Sequence, residues 1–137
     1  MPTTSIPPYE RKITFAETDA AGVAHFSKLA VLVEEAIHSH FQQLGIPVLD
    51  PMTAWPIVSL HIDYKSPFRF GDKARIHLNL EKTGTASLTW AFEAHSTQDR
   101  KAPPAFKGTL TQCHLYPASG SPTPIPEKIQ SLLRGSE

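Results

Sequence analysis

Residues 25–45 read His25-Phe26-Ser27-Lys28-Leu29-Ala30-Val31-Leu32-Val33-Glu34-Glu35-Ala36-Ile37-His38-Ser39-His40-Phe41-Gln42-Gln43-Leu44-Gly45. Phe26, Leu29, Val33, Ala36, Ile37, Phe41 and Leu44 recur at spacings of three and four, which predicts one long helix with a continuous apolar stripe. Ala30, Val31 and Leu32 widen that stripe, so the helix is expected to be buried on most sides. Gly45 supplies a stop, and Pro47 cannot continue the helix.

Beyond the helix the period changes to two. Val58, Leu60, Ile62 and Tyr64 alternate with polar residues, as do Ala74, Ile76, Leu78 and Leu80, and then Leu88, Trp90, Phe92 and Ala94. Such alternation marks half-buried antiparallel strands. Phe106, Gly108 and Leu110 begin another strand, but Cys113 and Leu115 fall in the opposite phase. A bulge near Thr111 or Gln112 would account for the slip. Upstream, Ile13 and Phe15 mark an N-terminal strand. The order is strand, helix, then four strands, and the simplest packing is α+β: one curved antiparallel sheet wrapped around one long helix. Such a sheet has edges to manage, and pairing across a dimer is one way.

The chain has 137 residues, which suits one domain with a real core. Residues 1–117 form the expected domain. Residues 118–137 form a Pro-rich tail, with Ala118–Pro124 extended or mobile and a short helix over Glu127–Arg134 after Pro126. Lys+Arg 13 balance Asp+Glu 13, so the basic excess of a nucleic-acid binder is missing. There is no apolar run of membrane-spanning length and no signal-peptide pattern, and Cys113 has no partner cysteine. Cytoplasmic residence is the expectation.

Chemistry concentrates in Phe15-Ala16-Glu17-Thr18-Asp19-Ala20-Ala21-Gly22-Val23-Ala24-His25-Phe26. Two acids lie between a strand and the start of the long helix, and Gly22 lets the backbone turn or approach a ligand closely. A helix start offers unpaired N–H groups that can bind a carbonyl oxygen as it gains charge. A carboxylate beside it can attack a carbonyl carbon or deprotonate a water. On the local pattern alone, Asp and Thr before a helix are most often caps.

The stretch FAETDAAGVAHFSKL resembles the signature of the 4-hydroxybenzoyl-CoA thioesterase family, which carries Asp-x-x-Gly just before its central helix. Downstream, WPIVSLHIDYKSPFRFGD resembles the family's second strand and its Pro-x-x-x-Gly-Asp turn, here Pro67, Gly71 and Asp72. The resemblance spans about Tyr9 to Tyr116. It implies a hotdog fold, a homodimer or homotetramer with the site at a subunit interface, no cofactor, and hydrolysis of an acyl- or aryl-CoA thioester. By position it implies Asp19 as nucleophile or general base and the Phe26 backbone amide as the group that polarises the carbonyl. Gly22 and His25 complete the candidate catalytic set, although His25 is equally suited to lining a pocket. Glu34, Ser59 and Arg69 are the candidate substrate-binding residues.

Some aryl-CoA members carry basic residues after the third strand, whereas here Glu81–Ala86 contains only Lys82. Arg69, Lys73, Arg100, Lys101 and Lys107 are the other cations that could meet CoA phosphates. The histidines lack metal-ligand spacing, and no metal is expected. Trp55, Phe26 and Trp90 could line an acyl pocket or belong to the core. A hydroxylated aryl-CoA, including a naphthoyl type, is favoured over a fatty acyl-CoA. One alternative is a hotdog hydratase or dehydratase on acyl-CoA or acyl-carrier protein, but Ala21 and Gly22 stand where its Asp-x-Asn-Pro-x-His pattern needs Asn and Pro. The other is a non-catalytic acyl-CoA-binding protein of the same fold.

Overall fold

The stripe over residues 25–45 forms one helix, α1 (Phe26–Leu44), in the computed structural model, which describes residues 6–98 and 101–135. His25 caps its start, and Gly45 ends it in the left-handed conformation at φ 75°. Leu29, Leu32, Val33, Ala36, Ile37, His40 and Phe41 are buried on one side. The opposite side is more open than the apolar width suggested, with Val31 47% exposed. One sheet covers one side of a helix.

That sheet has five strands: β1 (Tyr9–Lys12), β2 (Ile57–Tyr64), β3 (Lys73–Thr83), β4 (Ser87–Ser96) and β5 (Phe106–Cys113). They lie in the order β1-β3-β4-β5-β2, and every pairing is antiparallel. The inward residues of β3 and β4 pair across the strands, as in Ile76 with Ala94, Leu78 with Phe92 and Leu80 with Trp90. They join the α1 stripe in one core. Trp55 and Trp90 are both core residues, at 5% and 0% exposure.

The structure corrects three sequence expectations. The N-terminal strand ends at Lys12, before Ile13 and Phe15. Ile13 is buried and bonds Asp72, while Phe15 opens a 3-10 turn (Phe15–Glu17) and is 73% exposed. Second, β5 keeps one phase through Gln112. The Gln112 amide is buried because its Oε1 accepts the Trp90 indole N–H at 2.7 Å. A satisfied polar side chain in a core position had mimicked a slip, and the irregularity lies on β2, where Val58 is the extra residue between Ile57 and Ser59. Third, most of the apolar face of β2 is not core within one chain: Ile62 packs against the core, but Val58 is 62% exposed, Leu60 39% and Tyr64 47%. This strand is last in the sheet, and of these three exposed side chains Tyr64 meets α1, at its first residue Phe26.

The tail folds back on the domain. Ala118–Pro124 contains a tight turn at Gly120 that pairs β6 (Leu115–Tyr116) with β7 (Ser121–Pro122), rather than an extended run. The expected helix is present as α2 (Glu127–Arg134), and Ile125, Ile129 and Leu133 join the common core. Buried His114 ties this region down, with Nδ1 2.9 Å from the Thr123 carbonyl and Nε2 3.3 Å from Thr53 Oγ1. Among the described residues no helix is long and apolar enough to cross a membrane.

Candidate active site

Thr18–Ala24 is a small hairpin. Thr18 bridges Ala24, the Asp19 N–H donates to the Val23 carbonyl at 2.9 Å, and the Gly22 N–H donates to the Asp19 carbonyl at 3.0 Å. Gly22 has φ +77°, a conformation that costs an L-residue of order 1 kcal/mol or more. Asp19 Oδ1 accepts the N–H groups of Ala21 at 2.8 Å and Val23 at 3.4 Å. Asp19 therefore caps its own turn and not the helix. The helix cap is His25, whose Nδ1 accepts the Ser27 N–H at 3.3 Å and sits 2.7 Å from Ser27 Oγ.

The two sequence motifs meet here. The Phe70 N–H donates to the Gly22 carbonyl at 3.1 Å, and the Ala24 N–H to the Phe68 carbonyl at 2.8 Å. Val23 bridges Arg69, whose turn is closed by Asp72 accepting the Arg69 N–H at 2.8 Å. The Pro67–Asp72 turn thus buttresses the Asp19–Gly22 loop from outside.

Beside this junction lies a cavity of about 310 Å³ bordered by Val23, Ala24, Phe26, Leu29, Tyr64 and Lys65, among others. Phe26 is the first helical residue, and among the described residues its N–H has no hydrogen-bond acceptor, as expected of a helix start. The Tyr64 hydroxyl donates to the Phe26 carbonyl at 3.2 Å, and the two rings meet edge to face at 6.5 Å. Partial burial raises the Tyr64 pKa, which keeps it a donor. The His25 ring also lies against Phe26, tilted by 31° with centroids 4.5 Å apart. The arrangement offers a carboxylate, an unpaired amide and ring-lined space within one loop and helix start. A larger concavity of about 500 Å³ lies over His61, His77, Glu93 and Lys107 on the solvent face of the sheet, and none of the candidate site residues borders it.

The family model of the thioesterase superfamily matches residues 21–103. The chain belongs to the thioesterase superfamily. It is 30% identical over 135 residues to a 1,4-dihydroxy-2-naphthoyl-CoA hydrolase from Synechococcus sp. (strain CC9902), covering 92% of this chain and 88% of that protein. The fold is that of a 1,4-dihydroxy-2-naphthoyl-CoA thioesterase from Synechocystis, with TM-score 0.82 and 21% identity over 92% of this chain and 93% of that one. A gentisyl-coenzyme A thioesterase has the same fold, with TM-score 0.80 and 21% identity, covering 91% of this chain and 98% of that one. The α+β hotdog architecture expected from the sequence is thereby shown.

In this thioesterase-superfamily chain, Asp19, Gly22, His25, Phe26 and Arg69 lie on the hairpin, the helix start and the turn bonded to them, and of these Phe26 borders the cavity. Glu34 is half-buried on α1 and Ser59 is exposed on β2 opposite Thr111, and neither borders the cavity in the single chain. Of the expected phosphate-binding cations, Lys73 lies 3.6 Å from Glu10, Lys107 faces the outer concavity, and Arg100 lies outside the described residues. Among the described residues no group of three or more His, Cys, Asp or Glu could hold a metal.

Sequence reasoning missed Arg11, Glu35, Tyr64 and Lys65 as neighbours of the site. Tyr64 ends an alternating run, which marks it only as the apolar side of a half-buried strand, and nothing local links Arg11 to Glu35. Glu17 was noticed only as the second acid of the motif. Arg11 beside it holds its carboxyl at about 2, well below the usual range, chiefly through their paired hydrogen bonds.

Proposed function

We propose that this chain hydrolyses an aryl-CoA thioester to the free acid and CoA, with Asp19 as the catalytic carboxylate and the Phe26 N–H as the carbonyl-binding donor. The reading is carried by the placement of the Asp19 carboxylate, on the Thr18–Ala24 hairpin, just ahead of the unpartnered N–H that opens α1 beside an aromatic-lined cavity. Asp19 acts on the carbonyl carbon directly or by taking a proton from water. As the oxygen gains charge, the Phe26 amide and the positive end of α1 stabilise it. Where water adds, collapse breaks the C–S bond, the free acid departs and the thiolate takes up the proton that Asp19 removed. Where Asp19 itself adds, collapse releases CoA thiolate and leaves an Asp19–acyl anhydride, which water then cleaves to the free acid, supplying the thiolate's proton. Lys65, which borders the cavity, and Arg69, on the adjoining turn, would meet the CoA phosphates, and Glu34 and Ser59 would serve the substrate across a subunit boundary. The aryl preference is supported by the Phe26, Tyr64 and His25 rings and by a 30%-identical relative that is a dihydroxynaphthoyl-CoA hydrolase.

Thiol release across a CoA-ester panel tests the reading. Hydroxybenzoyl- and dihydroxynaphthoyl-CoA should turn over faster than fatty acyl-CoA of any length. Faster fatty acyl turnover would overturn the aryl preference, and tight binding without release would favour a non-catalytic role.

The proposed assembly is a homodimer or larger, formed along β2 in a reducing, cytoplasmic setting suited to the unpaired Cys113. Among the described residues this strand pairs only with β5, and it exposes Val58, Leu60 and Tyr64, a combination that soluble proteins normally cover. Sedimentation at micromolar concentration should give a dimer or multiple of it, and a monomer there would contradict the assignment.

A further inference from the structure

One guanidinium joins three elements around the site. Arg11, on β1, donates from Nη1 and Nη2 to Glu17 Oε1 and Oε2 at 2.7 and 2.6 Å. Its Nε donates to Glu35 Oε2 at 2.6 Å and its Nη2 to Glu35 Oε1 at 3.2 Å. Nη1 also reaches the Lys12 carbonyl at 2.9 Å, and the Tyr9 hydroxyl donates to Glu35 Oε2 at 3.0 Å. The Arg11 and Glu17 side chains are only 22% and 13% exposed, so water screens the pair little.

Both carboxylates lead to the candidate machinery. Glu17 closes the 3-10 turn, where its Oε1 accepts the Thr14 N–H at 2.9 Å, and Asp19 follows two residues later. The Glu17 carbonyl accepts the His25 N–H at 2.8 Å, which fixes the residue before Phe26. Glu35 stands on α1, the helix whose first amide belongs to Phe26. Arg11 thus ties the turn that carries the carboxylate to the helix that carries the amide, and both to β1. Fork geometry makes this work, because two carboxylates share four hydrogen bonds from one rigid guanidinium; a lysine would offer one point charge.

We infer that Arg11 is a positioning residue, which sets the separation and angle between the Asp19 carboxylate and the Phe26 N–H and so governs turnover beyond its contribution to stability. The inference rests on the reading of Asp19 as the catalytic carboxylate. Misplacing reacting groups by about 1 Å can cost on the order of 10²-fold in rate.

The test is a double-mutant cycle in the full-length protein, reading thiol release from hydroxybenzoyl-CoA beside a thermal melt. Arg11→Met should lower kcat by about 10- to 100-fold with KM within about twofold. In the Asp19→Asn background the same change should lower the residual kcat no further, although it lowers the melting temperature equally in both backgrounds. Arg11→Lys should restore only part of kcat. Equal kcat losses in both backgrounds, or a melting change with kcat intact, would make Arg11 a purely structural ion pair. Wild-type turnover by Asp19→Asn would instead remove the underlying reading of Asp19, and the inference with it. If Arg11→Met fails to fold, Glu35→Gln frees only the helix half of the clamp. It should show the same pattern with a smaller kcat loss, and an unchanged kcat would overturn the inference.

Discussion

Asp19→Asn is expected to melt like the wild type and to lose about 10²–10⁴-fold in turnover. The structure separates the two halves of this expectation. Asp19 Oδ1 accepts the Ala21 and Val23 N–H groups, and the carbonyl oxygen of an asparagine can accept the same two bonds. The turn therefore survives. The second carboxylate oxygen, Oδ2, has no hydrogen-bond partner among the described residues, and in the proposed mechanism its replacement by an amide nitrogen ends the chemistry. An amide neither attacks a thioester carbon nor takes a proton from water. Thiol-release kinetics and a melt on the same preparation check the result. Full activity in a folded Asp19→Asn protein would place the chemistry on another group.

Gly22→Val should lower turnover by about 10²–10³-fold, the usual cost of losing an oxyanion donor, while the melting temperature falls by only a few degrees. A Cβ at Gly22 would meet no atom within 4 Å, so crowding is not the cause. The cost is backbone strain. At φ +77° a β-branched side chain is strongly disfavoured, and relief comes by opening the turn. Opening breaks the Gly22 N–H bond to the Asp19 carbonyl and the Phe70 N–H bond to the Gly22 carbonyl. The carboxylate then moves relative to the Phe26 amide, and Arg69 loses its place beside Val23. Because Asp19, Ala20 and Ala21 at the tip of the hairpin are exposed, global stability changes by little more than the local strain. Gly22→Ala should show the same pattern more weakly. Activity that survives in a protein whose melting has collapsed would make Gly22 a fold glycine and remove the main support for an oxyanion site at the helix start.

Much of this protein is local in sequence. The spacing of Phe26, Leu29, Val33, Ala36, Ile37 and Phe41 specified α1 and its inner face, because a 3.6-residue period needs no distant partner. The alternation in β3 and β4 specified their core faces for the same reason. Asp19, Gly22 and the helix start lie within eight residues of each other, so the carboxylate, the turn and the amide were legible as one unit before any packing was known.

What remained depended on which distant segments meet. The facing of Gln112 was set by the Trp90 indole, a partner 22 residues away. The exposure of Val58, Leu60 and Tyr64 was set by strand order, which places β2 at the sheet edge although its pattern resembles that of the inner strands. The junction of Gly22 with Phe70, and of Arg11 with Glu17 and Glu35, joins side chains and backbone that no periodicity relates. Sequence alone determined the elements, the loop that carries the candidate carboxylate and the family resemblance, because short-range sterics and hydrophobic period act within a few residues. Tertiary structure alone decided which turn buttresses that loop, which cation clamps it and which apolar strand face is left open, because those depend on register and strand order, set by contacts between segments far apart in the chain.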